Sequence, residues 1–276
     1  MNMIVKNIFL FLGLIVLIMT SCETVIELEF NDAEPKLVIE AVVTNEPGPY
    51  RVELNESAGF YDESVFPPRV GAVVTINDNQ GFSEVLSETE PGVYLTDALL
   101  GEPGVTYTLT VETEGETYIA SSTMPISLVP IDGLEVQFEE ESIFLDEGYY
   151  VSVQITDPPE EGNSYRYLFF RNGEPYIYTD EDGEEDGTDS NLYITDDRFW
   201  NGNSVEEIFF NAVELGDTVT IELQHLDPET FDYYRTLIGA IEGGGVAPSD
   251  PLSNFGDRAL GYFGAFSVNR MQVVIE

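Results

Sequence analysis

His225 is the one histidine in this sequence, and so the one side chain whose ordinary pKa suits it to general-base work near neutral pH. It closes the run Val219-Thr220-Ile221-Glu222-Leu223-Gln224-His225. Alternation along a strand places it on the same face as Val219, Ile221 and Leu223, so it is expected to pack inward near a strand end. No Gly-x-Ser-x-Gly elbow supplies a serine for it to activate, and no Gly-x-x-x-x-Gly-Lys-Ser/Thr loop is present to hold a nucleotide. Carboxylates are abundant: 52 acidic residues stand against 10 basic ones, for a net charge of −42. A glycosidase needs two acids about 5 to 9 Å apart across a cleft. In so acidic a chain such pairs carry no information, so a carboxylate hydrolase is the last of the readings and no enzyme activity is expected. Asp182, Glu184 and Asp186, followed by Gly187, have the alternation of oxygen ligands that a hard cation takes. An EF-hand loop would then need a bidentate Glu where Tyr193 stands, so the expectation is weak calcium binding of another kind. Aromatic rings crowd the same half. Rings stack on sugars and apolar ligands and anchor interfaces. Trp200, the sole tryptophan, sits between Arg198 and Asn201-Gly202-Asn203 and is expected to be exposed in a loop. With Tyr176 and Tyr178 it is the candidate contact for a small nutrient or glycan.

Cys22 is the only cysteine, which excludes a disulfide framework. It directly follows Lys6 and the apolar run Ile8–Met19, a run shorter than the about 20 residues of a spanning helix and suited to an export signal. Met19-Thr20-Ser21-Cys22 resembles a bacterial lipobox, in which the cysteine is acylated and becomes the mature N-terminus. Lipid at Cys22 would hold the chain on a membrane. The acidic balance leaves no basic surface to release phosphate counterions, so no nucleic-acid partner is expected.

These groups need a scaffold, and the pattern for it is β. Residues 1–21 read as the signal peptide and 22–35 as a tether with a first edge strand. Leu37–Thr44 is nearly continuous in apolar residues, as in a strand covered on both faces. Tyr50–Leu54, Ala72–Ile76, Phe82–Leu86, Val93–Thr96, Val105–Thr113 and Thr117–Ser122 follow between turn signals, as in a sandwich spanning 36–124. Tyr107 has the setting of a tyrosine corner. Pro125 and Pro130 mark a hinge at 125–132. Leu134–Phe138, Tyr149–Ile155, Tyr165–Arg171, a return strand after Asn172-Gly173, Ile208–Phe210 and Thr218–Leu226 build a second sandwich over 133–276, interrupted by the acidic loop. Asp227 and Pro228 open a helix near 228–242, with Phe231, Tyr234, Ile238 and Ile241 on one face. Two strands, Ala259–Val268 and Gln272–Ile275, end it. The expected fold class is all-β: two immunoglobulin-like β-sandwiches in tandem, the second carrying one inserted helix.

Cys22-Glu23, Glu34-Pro35-Lys36-Leu37-Val38-Ile39-Glu40, Pro47-Gly48-Pro49-Tyr50, Gly71-Ala72-Val73-Val74-Thr75-Ile76, Pro91-Gly92-Val93-Tyr94, Gly104-Val105-Thr106-Tyr107-Thr108-Leu109 and Ser253-Asn254 to Gly261-Tyr262-Phe263-Gly264-Ala265 occur in this order. That set resembles the Bacteroidota lipoproteins grouped as domain of unknown function 4249. The resemblance implies an outer-membrane lipoprotein, with no catalytic motif to carry over, encoded beside a TonB-dependent transporter. The expectation is therefore a non-catalytic accessory or ligand-capture partner of such a transporter at the outer membrane, with the face not fixed by the sequence. A structural or adhesive surface lipoprotein is the alternative.

Overall fold

The computed structural model describes residues 35–58, 66–142, 146–176, 192–209, 212–241 and 250–276. Cys22, the export signal and the tether as far as residue 34 lie outside the described residues. Residues Pro35–Glu276 form one compact unit. Its strands are β1 (Leu37–Thr44), β2 (Arg51–Glu56), β3 (Val73–Asp78), β4 (Ser83–Val85), β5 (Ser87–Glu90), β6 (Val93–Leu95), β7 (Thr106–Thr113) and β8 (Glu116–Thr123). They continue with β9 (Ile131–Glu139), β10 (Gly148–Thr156), β11 (Ser164–Arg171), β12 (Glu174–Pro175), β13 (Tyr193–Asp196), β14 (Ser204–Ile208) and β15 (Thr218–Leu226). Helix α1 (Pro228–Ile241) and the long strand β16 (Ala259–Val274) complete it. The fold is an all-β sandwich architecture.

One nine-stranded sheet forms the backbone of the molecule, in the order β12-β11-β15-β16-β1-β2-β6-β5, with β13 also paired to β11. Two smaller sheets cover it. The sheet β4-β3-β7-β8 meets the half built on β1 and β2, and β14-β10-β9 meets the half built on β11 and β15. The first core joins Ile39, Ala41 and Val43 of β1 to Val74, Ile76, Leu109 and Val111 of the facing sheet. The second joins Val151, Val153 and Ile155 of β10 to Tyr165, Tyr167, Phe169, Val219 and Ile221. Each strand turns its alternate apolar residues to one core, which is why the period of two was readable. Tyr107 makes the corner contact expected of it: the Glu102 amide donates to its hydroxyl at 2.7 Å.

The last strand departs from the expected plan. A single β16 stands where two strands were expected. Residues 259–266 run parallel to β1, and residues 267–274 run antiparallel to β15. Ala259, Phe263 and Ala265 therefore belong to the first core, and Met271, Val273 and Ile275 pack on the second. A linear cut at 125–132 divides the chain up to β15; β16 then returns to complete both halves. The polar stretch read as a break is held in the sheet by its side chains. Asn269 accepts the Ile131 amide at 3.0 Å, and Arg270 donates to buried Glu222 at 2.7 Å.

Strands β5 and β13 escaped the pattern. Ser87-Glu88-Thr89-Glu90 is exposed throughout and has no apolar alternation. Glu88 pins this edge, accepting the amides of Gly71 at 3.0 Å and Gly92 at 3.1 Å. Strand β1 buries Leu37, Ile39, Ala41 and Val43, but its other face is only partly covered, and Glu40 there is exposed. Helix α1 also turns differently. It buries Thr230, Tyr233 and Tyr234, whereas Ile241 is exposed. The cause lies in β16: Gly264 has no side chain, and Thr230 Oγ1 comes within 2.5 Å of where a Cβ would stand. The helix thus seats on its Thr230 side, and Phe231 and Ile238 are turned to one flank.

Candidate functional site

That flank forms one wall of a groove of about 460 Å³. Phe231, Arg235 and Ile238 project from α1 at helical spacing, Leu192, Tyr193 and Ile194 come from β13 and the residue before it, and Arg198, Phe199 and Trp200 close one end. Phe199 is 93% exposed. The turn that carries it is firmly mounted. Trp200 is half-buried and stacks on the fully buried Tyr165 at 5.5 Å between ring centroids. Its amide donates to the Asp197 carbonyl at 2.9 Å. The Asp197 carboxylate, itself buried, accepts the amides of Gly162 at 2.8 Å and Asn163 at 2.9 Å. Buried Asp157 accepts the Tyr165 hydroxyl at 2.5 Å and the Gly202 amide at 2.8 Å. Burial first, and then Asp157, push the Tyr165 phenol well above its ordinary range, so Tyr165 remains a neutral donor. The groove rim carries two exposed ion pairs, Arg198–Asp196 and Arg235–Asp232, each at 2.8 Å. Exposed pairs of this kind are worth little and can exchange partners cheaply.

His225 also stacks on Tyr165, at 5.0 Å between ring centroids, and lines a separate pocket of about 430 Å³ with Met124, Ile126 and Asn163. It is buried, as its strand position implied. Its Nδ1 donates to the Ser127 carbonyl at 3.0 Å, and its Nε2 lies 3.0 Å from Asn163 Oδ1. Burial pushes its pKa down, outweighing the opposing pull of the Ser127 carbonyl and of Asp157 and Asp197. Both nitrogens are engaged within the protein.

The other sequence-derived candidates do not converge on the groove. Tyr176 packs edge-on against Phe169 at 5.4 Å and is not part of the groove lining. Tyr178, Asp182, Glu184 and Asp186 lie outside the described residues. Trp200 is in the groove but half-buried, where a loop exposure was expected; Phe199 beside it is the exposed ring. Sequence reasoning missed Asp157 and Asp197, which hold the turn. In a chain of 52 acids nothing marked these two as buried.

A search of the curated proteins finds no match to this chain. A family model, by contrast, matches almost its whole length, over residues 23–272, and is described as "Domain of unknown function (DUF4249)". The ordered β-turn phrases from Glu34 to Ala265 that carried the resemblance fall within that span, Cys22 lies just outside it, and the chain belongs to the DUF4249 family.

Proposed function

We propose that this protein is a non-catalytic cell-envelope lipoprotein, held on the outer membrane through lipid at Cys22, that captures a ligand or docks a transporter segment in the groove beside α1. The observation that carries the reading is the exposed Phe199 at the mouth of an apolar groove, carried on a turn locked by Asp157 and Asp197. Binding residues on a rigid β scaffold lose little entropy when they engage. Engagement of both His225 nitrogens favours binding over catalysis. A TonB-dependent transporter as partner, with a small nutrient or glycan as cargo, follows from the family resemblance. Weak calcium at Asp182, Glu184 and Asp186 is proposed alongside it. The reading as a structural or adhesive spacer draws support from β16, which ties the two halves into one sheet.

Affinity capture from detergent-solubilised membranes tests the choice. Co-purification of a large β-barrel with the tagged full-length chain supports the accessory role. Its absence, with cell or matrix adhesion retained, supports the spacer. Phe199→Ala is the clean probe of the groove. Because the ring is exposed, stability should change by less than about 0.5 kcal/mol, while capture should fall about tenfold, as for an aromatic anchor. Capture unaffected by Phe199→Ala rejects the groove as the contact.

A further inference from the structure

The opposite flank of α1 borders a second cleft, of about 450 Å³, whose floor is the outward face of β1 and β2 and whose wall includes Tyr233, Leu237 and Tyr262. In its floor, Glu40 and Glu53 stand directly opposite each other on antiparallel strands. Like charges so placed oppose sheet pairing. Glu53 has relief from Arg51, whose Nε lies 2.6 Å away. Glu40 has none: among the described residues its carboxylate makes no hydrogen bond and no ion pair. The Tyr233 hydroxyl beside it likewise has no hydrogen-bond partner among the described residues, although Tyr234 and Tyr262 bond to each other through their hydroxyls at 2.7 Å. Partial desolvation of the Glu40 carboxylate at the cleft floor, and then Glu53, hold its pKa above the usual carboxylate range. Burial and then Glu40 raise the Tyr233 phenol to about 12.

We propose that this cleft binds an organic ammonium ion, its charge received by Glu40 beside the Arg51–Glu53 pair and its hydrocarbon part by Tyr233, Tyr262 and Leu237. A carboxylate with no counter-ion of its own, set opposite a second carboxylate beside aromatic walls, is relieved by a cation that also has an apolar body. The Tyr233 hydroxyl oxygen accepts a hydrogen bond from the ammonium. A bare divalent metal fits poorly. Calcium takes 6 to 8 oxygens, whereas the cleft offers two carboxylates, one of them already paired with Arg51, a few hydroxyls and otherwise rings and hydrocarbon, and no metal-holding group of three His, Cys, Asp or Glu occurs among the described residues. The net charge of −42 raises the concentration of cations around the whole molecule and favours entry. This site is independent of the groove at Phe199.

The test is calorimetric titration of the full-length chain in detergent with butylammonium chloride, against sodium chloride at the same ionic strength and against calcium chloride. Saturable butylammonium binding is expected. Glu40→Gln should weaken it about tenfold or more, and Phe199→Ala should leave it unchanged. Without ligand, Glu40→Gln should melt at or above the wild-type temperature, because it removes the repulsion; this also shows that the variant folds. Glu53→Gln gives a second probe of the same pair. Absence of heat up to tens of millimolar butylammonium overturns the proposal. So does binding that neither Glu40→Gln nor Glu53→Gln weakens, and so does binding of calcium alone.

Discussion

Asp227 illustrates how a residue can serve local and tertiary structure at once. As the helix cap it accepts the Thr230 amide at 3.1 Å and the Thr230 hydroxyl at 2.5 Å. It is also fully buried against β16, where the Ala265 amide reaches it at 3.3 Å. Burial outweighs these bonds and lifts its pKa from 3.8 to about 6. For an acid raised in this way the folded state holds the proton more tightly than the unfolded chain. Its contribution to stability is present below about pH 4 and is lost as the pH rises through about 6. His225 acts in the opposite sense: its lowered pKa gives stability that is present above 6.5 and lost as the pH falls through the folded value. The difference between wild type and Asp227→Asn isolates the first effect. From pH 4 to pH 6 wild type should lose about 2–3 kcal/mol relative to the Asn variant, by urea denaturation at each pH. A flat difference across that range contradicts the burial argument. The cap was legible in Asp227-Pro228. Its burial was not, because the group that covers it comes from a strand much later in the chain.

At the scale of elements, legibility followed which face of a strand is covered. Leu37–Thr44 and Thr218–Leu226 were placed to the residue because one complete face of each is apolar and buried. Tyr193–Asp196 has no buried residue to betray it. The parallel pairing of β1 with β16 left no trace either, since no hairpin joins them and their partners are distant in sequence. Gly261 is the point at which that pairing is most demanding. It has φ +84°, and an added Cβ would stand 2.1 Å from the Ile39 carbonyl oxygen. Gly173, in the hairpin after β11, has φ +88° and nothing within 4 Å. Gly173→Ala should therefore cost only the backbone term, about 1–2 kcal/mol, whereas Gly261→Ala must push two strands apart. We expect a loss of more than about 4 kcal/mol there, or no folded protein. Equal urea midpoints for the two variants would contradict the tight parallel contact. The helix shows the complementary limit. Its 3.6 period announced an apolar side, but only the gap at Gly264 decides which residues enter it and which flank becomes the groove.

Taken as a whole, the molecule carries a large unbalanced negative charge with most of its ion pairs at the surface. Raising sodium chloride from about 0.02 to 0.5 M shortens the screening length from roughly 20 Å to about 4 Å. Self-repulsion should fall with it, so the melting temperature should rise by several degrees on a calorimetric scan. The same salt should weaken butylammonium binding and leave capture at Phe199 nearly unchanged, because the groove is mainly apolar. Trp200 drew notice as the sole tryptophan and does line the groove; the helix wall of that groove was not legible, since nothing in the sequence tells which elements meet. The shared strand has a consequence in time. A nascent polypeptide emerges from its N-terminus, so residues 37–226 exist before 259–274 have been made. Until then the large sheet stays divided between β15 and β1, and a chain cut short before β16 should leave both edges open to proteases. The final strand works as a clasp, shutting only on a chain that has been read through to it.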